Sequence, residues 1–332
     1  MGTKEVIYVV TGAGGFIGNN IVRALCAAGK KVRCYVRNAQ RAAGSLDGLD
    51  VEFIEGELAD GESFKNALSG DFSFRVIHAA GIVSFKRKDK KPMMKINYEG
   101  AKTIADVSLA AAVDKFVFIS SVHAVKPAKK GTVTNETEVF DNHKGIYSQT
   151  KSLATAYIYS LIGQGLPAVL LHPSGVIGPN DFGNGYLTKM IIDYTAGRLP
   201  AGVNGGYDFV DVRDVALAAL SAADSDKTGC YMITGRYVTV REIFVLLHKH
   251  LGGKNIKLML PLTLAKIALP ILQLYSMVRK SEPLYNSYAL YTLSSNGLYS
   301  HEKAARDLGF SPRDISESIA DTAAFLQRNN RI

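Results

Sequence analysis

Short apolar runs rich in β-branched residues alternate with helical patterns through the first half of the chain. Six runs predict strands at Val6–Thr11, Lys31–Val36, Val51–Glu55, Arg75–His78, Phe116–Ser120 and Ala168–Pro173. Apolar positions at helical spacing predict helices over Phe16–Ala28, Lys95–Ala112 and Gly145–Ile162. Because buried strands that alternate with helices form sheets covered on both faces, this pattern predicts an α/β fold with a doubly wound parallel sheet.

The alternation becomes irregular after Pro173. A further strand is predicted at Tyr231–Thr234, and further helices at Val240–Leu251, Ser300–Leu308 and Ile315–Arg328. We therefore predict a first domain over residues 1–175 and a smaller, mostly helical lobe over residues 176–332. Segments near 209–223 are expected to return to the core of the first domain.

One apolar stretch, Leu258–Val278, is a candidate for membrane contact. Lys266 interrupts it, and Pro261 and Pro270 would break a helix, so we expect no integral membrane segment. The stretch instead predicts a buried or lipid-touching pair of helices, which leaves peripheral membrane contact open.

The net charge of +9 lies partly in short lysine clusters. These clusters lack the interleaved aromatic residues of a single-strand binder and match no DNA-binding motif, so we expect no nucleic-acid partner. Two interpretations stay open, namely a solvated basic face and a surface that attracts anionic cofactors or lipid headgroups.

The three cysteines, Cys26, Cys34 and Cys230, have no metal-ligand spacing, and the apolar neighbours of Cys26 and Cys34 predict packed free thiols. No metal site is expected. The chain begins with a strand pattern rather than a charged and then apolar signal segment, so we expect a reduced, cytoplasmic setting.

A glycine-rich segment, Thr11–Gly18, follows the first predicted strand and opens the first predicted helix. Glycines allow a tight turn and close approach of the backbone to a pyrophosphate, while the free amides of a helix N-terminus bind its charge. Gly12, Gly15 and Gly18 are spaced differently from the G-x-G-x-x-G form, but their position between strand and helix predicts a dinucleotide site.

Arg37 follows the second predicted strand, where the adenosine ribose of a dinucleotide is expected. An arginine fork suits a 2′-phosphate, whereas an acidic residue would suit a free 2′-hydroxyl. The sequence therefore favours NADP(H), with NAD(H) as the alternative. Arg37 could also lie on the surface or stack on adenine.

Tyr147 and Lys151 are four residues apart on a predicted helix and so share one face. Reduction of a carbonyl needs a proton at its oxygen, and a lysine cation would lower the pKa of a phenol that donates it. Ser120 and Ser121 end the fifth predicted strand, at the sheet edge where such folds bind ligands, and a serine there could polarise the carbonyl. A helix cap or turn is the other interpretation of these serines.

Together these residues resemble the extended short-chain dehydrogenase/reductase family, from about Val6 to Asp214. The resemblance implies a Rossmann-type dinucleotide-binding domain followed by a substrate-binding lobe. It assigns catalytic roles to Asn97, Ser121 (rather than Ser120), Tyr147 and Lys151. The implied cofactor-binding residues are Thr11, Gly12, Gly15, Phe16, Ile17, Gly18, Glu57, Leu58, Ala79, Ala80, Gly81, Pro173, Ser174 and Val176, together with Tyr147 and Lys151.

Within the family the chain is similar to the dihydroflavonol reductase and 3β-hydroxysteroid dehydrogenase branch. The segment around Arg37 resembles that of NADP-using flavonoid reductases, and His172 stands where sugar-nucleotide epimerases usually have asparagine. Substrate contacts are expected from Ser84, Val122, His123 and His172, although both histidines also fit structural roles.

The predicted function is the reversible reduction of a lipophilic ketone or aldehyde, with a small-molecule carbonyl or alcohol as substrate. Two alternatives stay open, namely a nucleotide-sugar epimerase or dehydratase that retains NAD, and a non-catalytic NAD(P)-sensing protein. The resemblance also implies a homodimer formed through the helices at Lys95–Ala112 and Gly145–Ile162.

Overall fold

A computed structural model describes residues 4–84, 87–126, 128–129, 131–136, 140–141, 145–267, 269 and 287–332. Its largest element is a sheet of seven parallel strands in the order β10-β6-β5-β4-β1-β2-β3. These strands are β1 (Val6–Thr11), β2 (Lys31–Val36), β3 (Glu52–Glu55), β4 (Ser73–His78), β5 (Lys115–Ile119), β6 (Ala168–Pro173) and β10 (Gly229–Ile233). The predicted fold class, a doubly wound parallel sheet, is confirmed.

The helices that connect and cover these strands lie on both faces of the sheet. In chain order the helices are α1 (Phe16–Ala27), α2 (Ala39–Ala43), α3 (Gly61–Ala67), α4 (Lys90–Met93), α5 (Ala101–Ala110), α6 (Ile146–Ile162), α7 (Tyr186–Thr195), α8 (Val212–Asp224) and α9 (Val240–Leu251), of which α1, α3, α5, α6 and α8 cover the large sheet. Later helices span Ser287–Ser294, Glu302–Leu308 and Ile315–Arg328. A π-helical turn, Met94–Gly100, joins α4 to α5.

The predicted elements agree with the observed ones except at their ends. The helix predicted over Lys95–Ala112 is interrupted, because its first part is the π-helical turn. Periodicity could not show this, since one wide turn leaves the apolar spacing of the remaining helix unchanged. β5 ends at Ile119, so Ser120 lies just beyond the strand rather than in it.

Alternate residues of each strand enter two separate cores. Tyr8 and Val10 of β1 pack beneath α1 and α8, whereas Ile7 and Val9 pack on the opposite face beneath α5 and α6. Since both faces of each strand are covered, near-continuous apolar runs are what such a sheet requires. The core therefore fixes the strand ends, and with them the edge where the site lies.

Smaller sheets lie outside the large one. A three-stranded sheet contains β7 (Gly175–Ile177), β9 (Gly206–Asp211) and β11 (Arg236–Thr239), and a two-stranded sheet pairs β8 (Gly202–Val203) with β12 (Met259–Leu260). They pack with α7, α9 and the helix Ile315–Arg328 around a third core. Because α8 packs into the core of the large sheet and β10 belongs to that sheet, part of the second half returns to the first. The division at residue 175 stays a prediction.

No helix within the described ranges is long and apolar enough to cross a membrane. The apolar stretch that begins at Leu258 is described as far as residue 267 and again at residue 269. It contains β12 and a helix that begins at residue 262. The remainder of the predicted helix pair lies outside the described residues.

Candidate functional site

The glycine turn between β1 and α1 has little free space. Gly12 has a φ of +72°, and a Cβ at that position would lie 2.7 Å from the backbone of Ala80. A Cβ at Gly18 would lie 2.1 Å from the carbonyl oxygen of Gly12. Glycine is therefore required at both positions, because any side chain would collide with backbone.

The first turn of α1 is built to receive an anion. Gly15 is its N-cap and supplies no side-chain cap, and no acidic residue occupies the first turn. Unpaired amides at a helix N-terminus carry the positive end of the helix dipole. The predicted dinucleotide turn is thus in place at the carboxyl edge of the sheet.

The ends of β1 and β4 are joined by Thr11 and His78. The Thr11 hydroxyl lies 2.7 Å from Nδ1 of His78 and accepts a hydrogen bond from the backbone N–H of Ala80 at 3.3 Å. His78 is fully buried, and burial lowers its pKa to about 3, so the imidazole is neutral. This pair fixes the segment Ala79–Gly81 beside the glycine turn, as its predicted cofactor contact requires.

Gly81 lies between the glycine turn and the residues predicted to transfer a proton. A Cβ at Gly81 would lie 3.5 Å from Nζ of Lys151 and 3.4 Å from Oδ1 of Asn97. Ala80, which precedes Gly81 in the chain, lies against Gly12. The backbone of Ala80 and Gly81 therefore lies between the glycine turn and the Lys151 ammonium. The sequence placed these segments at one sheet edge but gave no sign of this contact.

Asn97 holds the loop after β4 through its carboxamide. Its Oδ1 accepts from the N–H of Ile82 at 2.7 Å, and its Nδ2 donates to the carbonyl of Ile82 at 2.9 Å and to Thr150 Oγ1 at 3.2 Å. The side chain is 1% exposed and comes from the π-helical turn. These contacts make Asn97 a positioning residue that ties the loop to α6.

Tyr147 and Lys151 lie on the face of α6 that covers the end of β5. The Lys151 ammonium donates to the carbonyl of Ile119 at 2.9 Å and lies 5.1 Å from the centroid of the Phe118 ring. The Tyr147 hydroxyl is hydrogen-bonded to the side chain of Ser121. The structure therefore brings the three predicted groups together at one strand end.

The two serines after β5 have different partners. Ser120 Oγ is 2.6 Å from Thr155 Oγ1, inside the contact between β5 and α6. Ser121 contacts Tyr147, and its Oγ also accepts from the N–H of His123 at 3.1 Å. Ser121 thus combines the predicted cap with a contact to the phenol.

Burial dominates the titration of this cluster. It raises the pKa of Tyr147, an effect that the hydrogen bond with Ser121 partly offsets. Burial also lowers the pKa of Lys151 to about 8. The predicted lowering of the Tyr147 pKa is therefore wrong in its net direction for this structure, because removing the phenol from water outweighs the effects that lower it. The phenol is protonated at neutral pH.

Tyr207 is a site residue that sequence reasoning missed. Its ring stacks on His123 at 5.7 Å between centroids, and its hydroxyl lies 3.1 Å from Nε2 of that histidine. The His123 ring also meets the Tyr147 ring edge-on at 6.1 Å. Burial lowers the pKa of His123 to about 4, so a neutral imidazole stands between the two tyrosines. This distant residue reaches the site on β9, which pairs with β7 directly after β6.

The other residues predicted to contact substrate, His172, Val122 and Ser84, are buried. His172 places Nδ1 3.2 Å from the carbonyl of Ser121 and stacks on Phe140. Val122 joins an apolar cluster with Tyr207, and the Ser84 hydroxyl donates to Asp89. His172 therefore supports the strand end, while Ser84 lies in the loop after β4, away from these contacts.

The residues predicted to bind the remaining parts of the cofactor line the same edge. Arg37 is exposed directly after β2, and Glu57 is exposed with its carboxylate 3.8 Å from Nζ of Lys95. Leu58 packs partly into the core beneath α5. Pro173, Ser174 and Val176 continue from β6 into β7.

This arrangement fits a nicotinamide dinucleotide. A Cβ at Gly12 or Gly18 would fill the turn, and a Cβ at Gly81 would contact the lysine ammonium. Backbone amides and an uncapped helix are thus available to a pyrophosphate, close to a hydroxyl cluster able to bind a carbonyl. Among the described residues, no group of three or more His, Cys, Asp or Glu could hold a metal ion.

Comparison with known proteins identifies relatives of this arrangement. Residues 8–233 match the model of the NAD dependent epimerase/dehydratase family. "Sterol demethylase protein B" of Methylococcus capsulatus is 31% identical over 98% of this chain and 99% of its own. A "putative dihydroflavonol 4-reductase" of Synechocystis is 28% identical over 98% and 96% of the two chains. The crystal structure of gox2253 superposes with a TM-score of 0.83 at 27% identity, over 98% and 99% of the two chains.

Proposed function

The chain belongs to the NAD dependent epimerase/dehydratase family and is an enzyme of its extended short-chain dehydrogenase/reductase type, and we propose that it reversibly reduces a lipophilic ketone or aldehyde to the alcohol. The observation that carries this proposal is the joint placement of Tyr147, Ser121 and Lys151 beside the glycine turn. These groups supply the proton and the charge stabilisation that carbonyl reduction requires.

Tyr147 donates the proton to the carbonyl oxygen in this mechanism. Its raised pKa keeps the phenol protonated at neutral pH, which suits a donor and therefore the reductive direction. Ser121 donates a hydrogen bond to the same oxygen as negative charge develops there. Lys151, still cationic below about pH 8, stabilises the phenolate after proton transfer.

The chain's backbone and Lys151 would hold the cofactor. The amides of the Thr11–Gly18 turn would bind the pyrophosphate of the cofactor, and the segment Ala79–Gly81 would lie beside its nicotinamide ring. When bound, the nicotinamide supplies the hydride that reduces the carbonyl carbon. The side chains of Lys151 and Asn97 both lie next to Gly81, where a ribose would be bound.

We assign the coenzyme as NADP(H). Arg37 is exposed at the end of β2, with no carboxylate paired to it among the described residues, so its guanidinium is available to a 2′-phosphate. Glu55 is the last residue of the neighbouring strand β3, and its carboxylate accepts a hydrogen bond from the backbone N–H of Ala39 at 2.7 Å. Family membership by itself supports a nicotinamide dinucleotide without choosing between the two forms.

The substrate class follows from the surroundings of His123. Val122, Val125, Tyr207 and Met232 form an apolar cluster there, and Phe209 and Tyr299 pack against it. Apolar surroundings of this kind next to His123 favour a flat apolar molecule with one reactive oxygen over a charged nucleotide sugar. The names of two relatives, which mention a sterol and a dihydroflavonol, agree with this choice. Because Tyr207 comes from β9, the pocket would lie between the dinucleotide domain and the lobe.

A nucleotide-sugar epimerase or dehydratase is the second candidate, supported by the family that the chain matches. Val122 and His123 follow Ser121, so the acidic residue that a dehydratase would want there is absent. A screen of steroid, flavonoid and aliphatic carbonyls with NADPH and NADH separates the candidates. Net coenzyme oxidation with a lipophilic carbonyl supports the reductase. Tightly retained NAD without net turnover supports the epimerase, and coenzyme binding without any turnover supports a sensor.

A further inference from the structure

The helix that begins at residue 262 is apolar on two faces. Leu262, Ala265 and Leu269 face the lobe, where they pack with Val203 and Leu290. Leu264 and Ile267 face outward and are 52% and 72% exposed. A surface helix normally turns polar residues to water, so an apolar outer face indicates that something covers it.

Further exposed apolar and basic residues lie just before this helix in the sequence and within it. Leu258 is 60% exposed next to β12. Lys254, Lys257 and Lys266 are exposed around these apolar residues, and within the described part of the chain none pairs with a carboxylate. No Asp or Glu occurs in the sequence between Glu242 and Glu282. We call Leu258, Leu264 and Ile267 with these three lysines the apolar–basic face.

We propose that the apolar–basic face docks the enzyme on an anionic lipid membrane. Apolar side chains that insert at the headgroup boundary, with lysines directed to anionic headgroups, are the arrangement of interfacial helices. Lys266 can extend its stem along the apolar surface and keep its ammonium at the headgroups. The absence of acidic residues favours a negatively charged lipid surface.

The face is linked to the substrate side of the site. Its inner residue Ala265 packs on Val203, the last residue of β8. Val203 and Tyr207 are four residues apart, a span of at most about 14 Å along the chain. A lipophilic substrate dissolved in the membrane would thus reach the site without crossing bulk water. The delivery of substrate from the membrane rests on the proposed function, whereas the membrane docking itself does not.

Vesicle sedimentation tests the docking without coenzyme or substrate. We expect the protein to sediment with vesicles of phosphatidylcholine mixed with phosphatidylglycerol, but not with phosphatidylcholine alone, and to dissociate as the salt concentration rises. The variant Leu264→Gln/Ile267→Gln should bind about tenfold or more weakly. Lys254→Gln/Lys257→Gln/Lys266→Gln should lose the preference for anionic vesicles.

Leu217→Gln is the matched control, because Leu217 is 51% exposed on α8, remote from this face, and its variant should bind like the parent. Thermal melts check that each variant is folded. Unchanged binding by the leucine–isoleucine variant would overturn the proposal. Absence of vesicle binding would also overturn it. If the parent protein then self-associates and the leucine–isoleucine variant does not, a second copy of the chain covers the apolar–basic face. A failed carbonyl screen with intact vesicle binding would reject only the proposed function.

Discussion

Gly81 and Lys151 meet at the carboxyl edge of the sheet, where a Cβ on the glycine would lie 3.5 Å from the lysine Nζ. Gly81 follows β4, and Lys151 comes from α6, so this contact joins two segments far apart in sequence. It places a cation beside the loop that contacts the dinucleotide turn.

Tyr147→Phe removes the hydroxyl that we assign as proton donor. Because the ring and its contact with His123 remain, coenzyme binding should stay intact while turnover of a carbonyl substrate falls by about 10²–10⁴-fold. Coenzyme fluorescence titration and steady-state rates measure the two effects. Tyr157→Phe is the control, since Tyr157 lies on the same helix but donates to Asp106 at 2.6 Å. Equal rates in the Tyr147 variant and the parent would exclude Tyr147 from the mechanism.

The pH dependence should report Lys151. Its pKa in the folded protein is about 8, against an ordinary value of 10.5, so the ammonium loses its proton above pH 8 and the reduction rate should fall there. Stability should move the other way. The folded pKa is the lower one, so the destabilisation from burying the cation is complete below pH 8 and disappears between pH 8 and 10.5, where the unfolded chain binds more protons. Rate profiles and melting temperatures across this window check both signs.

Lys151→Arg separates this titration from others. Arginine keeps its charge far above pH 10, so the alkaline fall in rate should move upward, whatever the absolute activity of the variant. The pKa of Tyr147 is raised above its ordinary value, so the phenol does not account for a limb near pH 8. A limb that stays near pH 8 in the arginine variant would show that another group controls the rate.

Coenzyme choice should depend on Arg37. Its removal in Arg37→Ala deletes a charged partner for the 2′-phosphate, so KM for NADPH should rise by about tenfold or more while KM for NADH changes little. The same variant measured with NADH is its own control for folding. An equal rise with both coenzymes would assign Arg37 to a shared part of the dinucleotide, such as the adenine.

Tyr207→Phe tests the pair formed with His123. The phenylalanine ring can keep the 5.7 Å stack but loses the hydroxyl contact with Nε2, so the histidine is held less firmly beside Tyr147. We expect kcat/KM for the carbonyl to fall by about threefold to thirtyfold, with coenzyme affinity unchanged. Tyr194→Phe loses a comparable buried bond, to the carbonyl of Gly252, outside the site. If both variants lose activity equally, the effect of Tyr207 is on stability alone.

Some of this site followed from the sequence and some did not. A helix puts Tyr147 and Lys151, four residues apart, on one face, and parallel strands end at one edge, which indicated Ser120 and Ser121. The choice of Ser121 over Ser120 came from the family resemblance. Tyr207 was missed because no local pattern relates β9 to His123. The direction of the Tyr147 pKa was missed because burial is a property of the packed molecule. The π-helical turn that carries Asn97 leaves no trace in apolar spacing.

Gly12→Ala should abolish coenzyme binding and destabilise the fold together. The position has a φ of +72°, which costs an L residue on the order of 1 kcal/mol, and the new methyl would also lie 2.7 Å from the Ala80 backbone. Relief of that contact must separate the glycine turn from the loop that carries Gly81, so the two halves of the site move apart.

Gly29→Ala isolates the steric part of this effect. Gly29 has nearly the same φ, +67°, but a Cβ there meets nothing within 4 Å. Its variant should therefore lose about 1 kcal/mol of unfolding free energy and keep full coenzyme affinity, as measured by denaturant titration and coenzyme fluorescence. Gly12→Ala should lose at least about 2 kcal/mol and show no measurable coenzyme binding. Coenzyme affinity that survives in Gly12→Ala would show that the turn does not bind the pyrophosphate, because a displaced backbone could not present its amides to it.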